Sequence, residues 1–348
     1  MVQARAALAA RALALLLLAQ PSSSDDTCSA GGACASAPGG LAKVRLGLEW
    51  FTNPDHLPLI VAQRHGIFAD FGLDVELVEP GDHWEAEQEI IAGRLDVAVT
   101  EPLHLALDAA KGKPVYGFVR FLHTDGGVMY DPAKSGIRRP RDMCGKTISY
   151  PGSPGPGGPA IVNTMVKADG GSCDLGSYGK HNGGFYHTDA LLSGEADVAT
   201  LIFWNFEIVE AKSRGMAEAS FFSLKDWGVP DFCQLVLMTT PTRFGDMKGT
   251  LRKLVLALRK ATGVIHQQPG TARAYYAEHI GGAPTNETER ATLDATMAAT
   301  LPAFPNDGFM ASEYYERLMS WLVETDQVSA ADAAKTKVSS YWTNEVAW

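Results

Sequence analysis

The chain has 348 residues, of which 46% are hydrophobic and 20% are charged, and its formal net charge is −10. This length and hydrophobic content are sufficient for a substantial core divided between two lobes. The acidic balance and the lack of a basic run argue against nucleic-acid binding. After residue 40 the sequence contains no run of the roughly 20 apolar residues that a membrane-spanning helix needs.

The amino-terminal segment differs in character from the rest of the chain. Arg5 and Arg11 precede the apolar run at residues 12–19, and small polar residues follow it. These features predict a signal or transit peptide over residues 1–21, and they favour export over targeting to an organelle, which is the alternative. Residues 22–42 are rich in Ser, Gly and Ala, and this composition predicts a flexible linker.

Strands and helices are predicted to alternate from residue 43 onward. The first units are a strand at 43–48, a helix at 58–65, a strand at 72–79, a helix at 84–92, a strand at 96–100 and a helix ending at Ala110. This order predicts a mostly parallel sheet covered by helices. Amphipathic helices are predicted beyond residue 248, at 251–266, 271–279, 287–297 and 312–325.

A polar segment joins the first predicted strand to the first helix. It contains Glu49, Trp50, Asn53, Asp55 and His56. Open α/β sheets bind ligands at the carboxyl ends of their strands, so this cluster is predicted to bind a flat, nitrogen-rich ligand. The alternative is an ordinary strand-to-helix turn, because Asn-Pro-Asp is also favourable turn chemistry.

Residues 89–98 and 190–199 share one pattern, in which a helix end is followed by glycine, aspartate and a short apolar strand. The repeat predicts a second lobe whose strand end faces the same space as the first. Polar and aromatic residues follow both strands. They are Thr100, Glu101 and His104 after the first, and Trp204, Asn205 and Glu207 after the second.

A stretch rich in glycine and proline, residues 149–160, lies between a predicted strand and a predicted helix. Backbone N–H groups at such a helix start can bind an anion or a polar ligand edge, and Ser153 is the candidate contact in this loop. The four prolines of the stretch remove donors that a phosphate cradle would use, so phosphate binding is disfavoured here.

Several motifs together resemble one known family. They are Trp50 with residues 53–56, the runs at 66–75 and 93–99, and the stretches at 203–210 and 226–237. In this order they are similar to the thiamine-pyrimidine branch of type II periplasmic-binding-protein-like proteins, over roughly residues 43 to 275. That branch includes soluble receptors for formylaminopyrimidine and fungal thiamine pyrimidine synthases.

The resemblance implies an α/β, two-lobed type II periplasmic-binding-protein-like fold with a C-terminal helical extension. Residues 43–125 with 231–348 would form the first lobe and residues 126–230 the second, with a ligand between them. Trp50 would then stack on a pyrimidine, and Glu49 would accept hydrogen bonds from an exocyclic amine. The opposite wall would be formed by Trp204, Asn205 and Glu207, and the remaining candidate ligand contacts are Glu101, His104, Ser153 and Asp231.

The function implied is capture of a thiamine-related pyrimidine or a similar small heteroaromatic, with an ABC transporter permease as partner. A homodimer is left open. A weaker alternative is a receptor for a small sulfonate or carboxylate on the same scaffold.

The enzymatic alternative is synthesis of the hydroxymethylpyrimidine moiety of thiamine. The resembled synthases use a lysine that holds pyridoxal phosphate, a histidine four residues later and an iron-associated cysteine segment. His104 occupies the histidine position, but Thr100 stands at the lysine position and cannot form a Schiff base. Only Cys233 remains of the cysteines, and one thiol is a poor iron site. The sequence therefore predicts no cofactor, no metal and no catalytic residue, with His104 as the candidate if the protein is an enzyme.

Cys144 and Cys173 are candidates for a disulfide in an oxidising compartment. Spacing alone does not establish the geometry that a bridge requires, so the sequence leaves their pairing open.

Overall fold

The computed structural model describes residues 40–81, 86–150 and 157–347. The predicted signal or transit peptide, nearly all of the predicted linker, and Ser153 lie outside the described residues. In the part of the chain that is described, no helix combines the length and the apolar character that a membrane span requires.

The first sheet has five strands in the order β2-β1-β3-β10-β4. Val44 and Leu46 of β1 are fully buried, while Arg45 between them is exposed, as expected for a strand with one face on the core. β1 runs parallel to β2 and β3, whereas β10 is antiparallel to β3 and β4. The strands are β1 (Ala42–Gly47), β2 (Leu73–Val78), β3 (Val97–Thr100), β4 (Tyr116–His123) and β10 (Gln234–Thr239).

The second sheet also has five strands, in the order β7-β6-β8-β5-β9. β6 is parallel to β7 and β8, and β5 is antiparallel to β8 and β9. The strands are β5 (Gly126–Tyr130), β6 (Thr147–Ser149), β7 (Gly179–His181), β8 (Val198–Phe203) and β9 (Ser220–Ser223). The two sheets with their helices confirm the predicted α/β fold of two lobes.

The chain passes between the sheets twice, after β4 and before β10. The two passages touch at Gly126, where an added Cβ would lie 1.7 Å from the Sγ of Cys233. Any side chain at residue 126 would therefore overlap the returning segment. This close approach fixes the base of the space between the lobes.

Helices cover both sheets. Those up to residue 213 are α1 (Leu57–Arg64), α2 (Ile67–Asp70), α3 (Ala86–Ile91), α4 (Pro102–Ala110), α5 (Pro132–Ser135), α6 (Gly157–Ala168), α7 (His187–Ser193) and α8 (Glu207–Ser213). Those that follow β10 are α9 (Pro241–Gln267), α10 (Pro269–His279), α11 (Glu287–Thr300), α12 (Ser312–Glu324) and α13 (Ala330–Lys335). The helix predicted at 251–266 is thus part of a longer one.

The C-terminal helices contact both lobes. α9 and α10 pack on α1, and α12 contacts α4, which places them on the first lobe. α11 instead contacts α8 of the second lobe and the 3-10 turn Pro54–His56 of the first. α11 therefore bridges the two lobes beside the predicted ligand-binding segment.

Cys144 and Cys173 form a disulfide. It joins the segment before β6 to the loop after α6 and so crosslinks two parts of the second lobe. Cys233 is a free, buried thiol.

Candidate ligand-binding cleft

The segment after β1 folds through contacts of its own polar groups. The Oδ1 of Asn53 accepts a hydrogen bond from the backbone N–H of Asp55 at 2.8 Å, which caps the turn Pro54–His56. The backbone N–H of Asn53 lies 3.2 Å from the Nδ1 of His56. The Nε2 of His56 lies 3.0 Å from one carboxylate oxygen of Glu49. Asn53 and His56 therefore hold the segment in shape and orient Glu49.

Asp55 makes a polar contact between the lobes. The Nδ2 of Asn205, which follows β8, donates to a carboxylate oxygen of Asp55 and to the Oγ1 of Thr300 at 3.0 Å. All three side chains are buried. Burial raises the pKa of Asp55 to about 7, although the hydrogen bond from Asn205 acts to lower it. The side-chain oxygen of Asn205, Oδ1, is also buried, and it has no hydrogen-bond partner among the described residues.

Glu207 lies next to this junction at the start of α8. One of its carboxylate oxygens accepts the backbone N–H of Phe203 at 3.0 Å. Burial raises the pKa of Glu207 well above its usual range, and the charge of Asp55 acts in the same direction. A carboxyl group held neutral can donate a hydrogen bond as well as accept one.

An aromatic cluster lies between the lobes, centred on Trp50. Its ring centroid is 4.3 Å from that of Phe185 and 6.0 Å from that of His187, both on the second lobe. Phe51 extends the cluster, with its centroid 6.0 Å from that of Phe206. The indole Nε1 of Trp50 is buried without a hydrogen-bond partner in the described part of the chain. The cluster therefore combines apolar faces with an unused N–H donor.

His104 joins the lobes at a second place. Its Nδ1 lies 2.6 Å from a carboxylate oxygen of Glu101, and its Nε2 lies 3.4 Å from the hydroxyl of Tyr150 on the second lobe. Burial alone would lower the pKa of His104, but the charge and hydrogen bond of Glu101 raise it above the ordinary value. His104 and Glu101 therefore form a hydrogen-bonded pair at the end of β3.

Two predicted contacts lie away from the Trp50 cluster. Trp204 is 42% exposed and packs on Phe221 at 5.8 Å between ring centroids. Asp231 pairs with His123 at 2.8 Å in the returning passage between the sheets. The structure thus brings together one group of predicted residues, namely Glu49, Trp50, Asn53, Asp55, His56, Asn205 and Glu207. Ligand contact by any of the predicted residues stays a prediction.

Sequence reasoning did not select Phe185 and His187 as site residues. Phe185 lies just before α7, the helix of the second repeat, and His187 is the first residue of that helix. The run of three ring-bearing residues, Phe-Tyr-His, at this helix start was the available signal.

Acidic side chains surround the base of the cleft. Those that act on the thiol of Cys233 are Asp231, Glu207, Glu101 and Asp55, and burial together with these groups raises the pKa of the thiol well above its ordinary value. Because burial also raises the pKa values of Glu207 and Asp55, these two carboxyl groups favour a ligand through hydrogen bonds rather than through a full negative charge.

The residues of this chain at the cofactor positions of the fungal thiamine pyrimidine synthases do not fit pyridoxal phosphate or iron. Thr100 has no amine, and it is buried in β3 opposite Val236. Cys233 is kept as a neutral thiol, whereas a metal ligand must be a thiolate. Within the described ranges, no group of three or more potential metal ligands is gathered in one place.

Two α/β lobes joined by two chain passages, with a polar and aromatic cleft between them, define the class of two-lobed binding-protein folds. A family model described as NMT1/THI5 like matches residues 53–272. The chain belongs to this family, which confirms the resemblance found in the sequence.

Two curated relatives cover most of the chain. The formylaminopyrimidine-binding protein of Halalkalibacterium halodurans is 26% identical over 88% of this chain and 92% of its own. The 4-amino-5-hydroxymethyl-2-methylpyrimidine phosphate synthase of Aspergillus parasiticus is 25% identical over 79% of this chain and 82% of its own.

Solved structures show the same fold at low sequence identity. A protein of Bordetella bronchiseptica superposes with a TM-score of 0.66 at 23% identity, covering 88% of this chain and 95% of its own. The alkanesulfonate-binding protein of Xanthomonas axonopodis pv. citri, bound to MOPS, gives a TM-score of 0.63 at 14% identity, covering 85% of this chain and 98% of its own.

Proposed function

We propose that this protein is a substrate-binding protein that captures a thiamine-related pyrimidine, or a similar small heteroaromatic, between its two lobes. The observation that carries the proposal is the cluster at Trp50, where rings from both lobes meet around a buried, unused indole N–H. Aromatic faces bind a flat ring, and few convergent polar atoms fix its orientation. Similarity to a formylaminopyrimidine-binding protein over nearly the whole chain supports this ligand class.

The polar groups of the cleft argue against the sulfonate alternative. A sulfonate or carboxylate ligand needs cationic or N–H-rich partners, whereas the groups that act on the thiol at the base of this cleft are carboxyl groups. An aminopyrimidine instead offers N–H donors, which Glu49 and the free Oδ1 of Asn205 can accept.

We further propose that the protein is exported and passes its ligand to an ABC transporter permease. The composition of residues 1–21 supports a signal peptide. The disulfide between Cys144 and Cys173 is of the kind that persists in an oxidising compartment. Assembly into a homodimer is left open.

Replacement of Trp50 tests the binding proposal. The purified full chain is titrated calorimetrically with 4-amino-5-hydroxymethyl-2-methylpyrimidine, and saturable binding without turnover is expected. Trp50→Ala should weaken it by roughly 5- to 150-fold, since stacking of a base on an aromatic side chain contributes about 1–3 kcal/mol. Trp227→Ala, a change in a ring that packs on Phe222 of the second lobe, is the matched control and should bind like the parent. Equal affinity of the Trp50 variant would contradict the proposal.

A pyrimidine synthase is the second candidate, favoured by one observation, the contact of His104 with Glu101 and Tyr150. The residues that would hold its cofactors do not fit, as described above. We expect the mass of the intact chain to stay unchanged after incubation with pyridoxal phosphate, iron(II) and oxygen. A mass change mapped to His104, with release of a pyrimidine, would overturn this expectation.

A further inference from the structure

His187 is a buried imidazole with one unused nitrogen. It lies at the start of α7 and is 2% exposed. Its Nδ1 lies 2.9 Å from the Oγ of Ser149, which is fully buried at the end of β6. Its Nε2 has no hydrogen-bond partner among the residues that the structure describes. An unpaired buried polar atom is energetically unfavourable, and a ligand atom can offset that cost on binding.

The ring of His187 is nearly parallel to the indole of Trp50, with 19° between the planes and 6.0 Å between the centroids. A hydrogen bond from Nε2 points outward in the plane of the imidazole. A flat ligand stacked on Trp50 would therefore lie nearly parallel to the imidazole. A ring at the level of the imidazole would present the lone pairs of its ring nitrogens to Nε2.

The imidazole is neutral in the physiological pH range. Burial lowers the pKa of His187 to about 4, and the neighbouring His181 acts in the same direction. A neutral imidazole carries one ring proton, and the partner of Nδ1 decides where that proton resides. The hydroxyl of Ser149 can donate to Nδ1, which leaves the proton on Nε2.

We propose that His187 is the specificity-determining residue of the second lobe: Ser149 Oγ–H donates to Nδ1, and Nε2–H donates to a ring nitrogen of a heteroaromatic stacked on Trp50. This inference rests on the proposed function, and it narrows the ligand class. The cleft selects an aromatic ring with an acceptor nitrogen at its edge and rejects the carbocycle of the same shape, because the carbocycle leaves the buried N–H unpaired.

The test compares two probes on the full chain. The first is 4-amino-5-hydroxymethyl-2-methylpyrimidine, and the second is its benzene analogue, in which both ring nitrogens are replaced by C–H. The parent should bind the pyrimidine at least about tenfold more tightly than the analogue, since one hydrogen bond lost in a buried site costs about 1.4 kcal/mol or more.

His187→Phe keeps a ring in place but removes the donor. We expect it to lower the affinity for the pyrimidine by at least about tenfold and to leave the affinity for the analogue nearly unchanged. The ratio of the pyrimidine affinity to the analogue affinity should then approach one. Ser149→Ala, a smaller change, should lower this ratio of affinities severalfold, because the proton of the His187 imidazole is then no longer fixed on Nε2. His65→Phe is the matched control, because His65 pairs with Tyr275 of α10, and it should keep the ratio of the parent.

Three results would overturn the inference in different ways. If the parent binds neither probe, the proposed function fails and this inference fails with it. If the parent binds the pyrimidine and His187→Phe changes neither affinity, His187 does not contact the ring nitrogen, and the proposed function stands. If His187→Phe weakens both probes equally, so that the ratio of their affinities is unchanged, His187 only supports the shape of the cleft.

Discussion

At the scale of single residues, the cleft is organised by side chains that bond to each other as well as by those left free. The polar side-chain atoms of Asn53 and His56 form hydrogen bonds within the turn and with Glu49. Trp50 and His187 keep one buried nitrogen each. Buried polar groups without a partner are rare in native proteins, so we expect a ligand to complete the hydrogen bonding of these two nitrogens.

Asp55 makes the stability of the protein depend on pH. Burial raises its folded-state pKa to about 7, whereas in the unfolded chain it titrates near 4. Between these values the folded protein holds the extra proton, so its stability is full below about pH 4 and is lost as the pH rises through 7, by up to about 1.4 kcal/mol per pH unit. The groups that face Asp55 are Asn205, His56, Glu49 and Glu207.

Asp55→Asn should remove this contribution while keeping an acceptor for Asn205. We expect the variant to lose less stability than the parent between pH 5 and pH 7, as measured by denaturant unfolding at each pH. His187, whose lowered pKa of about 4 acts in the opposite direction below pH 6.5, is the same in both proteins and cancels in the difference. Parallel stability curves for the two proteins would show that Asp55 is ionised in the fold.

At the scale of elements, close contact between the two passages sets the relative position of the sheets. β5 starts at Gly126, directly against Cys233 before β10. The repeat at residues 89–98 and 190–199 correctly predicted the strands β3 and β8, one in each lobe. Proximity of Gly126 to Cys233 was not predictable, because it is a contact between segments about a hundred residues apart, with no local sequence pattern.

Gly126→Ala should destabilise the fold by at least about 2 kcal/mol, because the new Cβ would overlap the Sγ of Cys233. Gly249→Ala is the matched control. It lies on the exposed side of α9 with open space around it, and alanine should stabilise that helix by about 0.5–1 kcal/mol. Denaturant unfolding of both variants measures the pair of effects. Equal stabilities for the two variants would show that the passages can separate without cost.

The aromatic cluster illustrates the limit of prediction for the site. Trp50 was predicted because it lies in one short polar segment that follows a clear strand. Its partners Phe185 and His187 come from the other lobe, and only tertiary packing brings them to 4.3 and 6.0 Å from it. Site residues that lie within one short segment can thus be predicted from the sequence. Those on the opposite side of the cleft depend on how the two lobes pack.

At the scale of the whole molecule, α11 and the junction of Asp55, Asn205 and Thr300 connect the two lobes. We expect these contacts to favour a closed arrangement of the lobes, and such a preference lowers the conformational cost of binding.

Asn205→Ala should shift the ligand-free protein toward an open form by roughly tenfold in population, because two buried hydrogen bonds are lost. Small-angle X-ray scattering should show a larger radius of gyration than for the parent, and saturating pyrimidine should reduce the difference. Asn182→Ala, in a turn of the second lobe where the side chain accepts a hydrogen bond from the backbone N–H of Gly184, is the control. An unchanged scattering profile for Asn205→Ala would show that other contacts keep the lobes closed.

The position of β10 has a consequence for the order in which the chain becomes structured. β10 lies between β3 and β4, yet it follows the whole second sheet in sequence. As the chain emerges during synthesis, β3 and β4 cannot pair with β10 until residue 239 has been made. The strands β5 to β9, in contrast, follow one another without interruption. The second lobe, which is encoded in the middle of the gene, can thus complete its sheet first. The first lobe, which begins the chain, completes its sheet last.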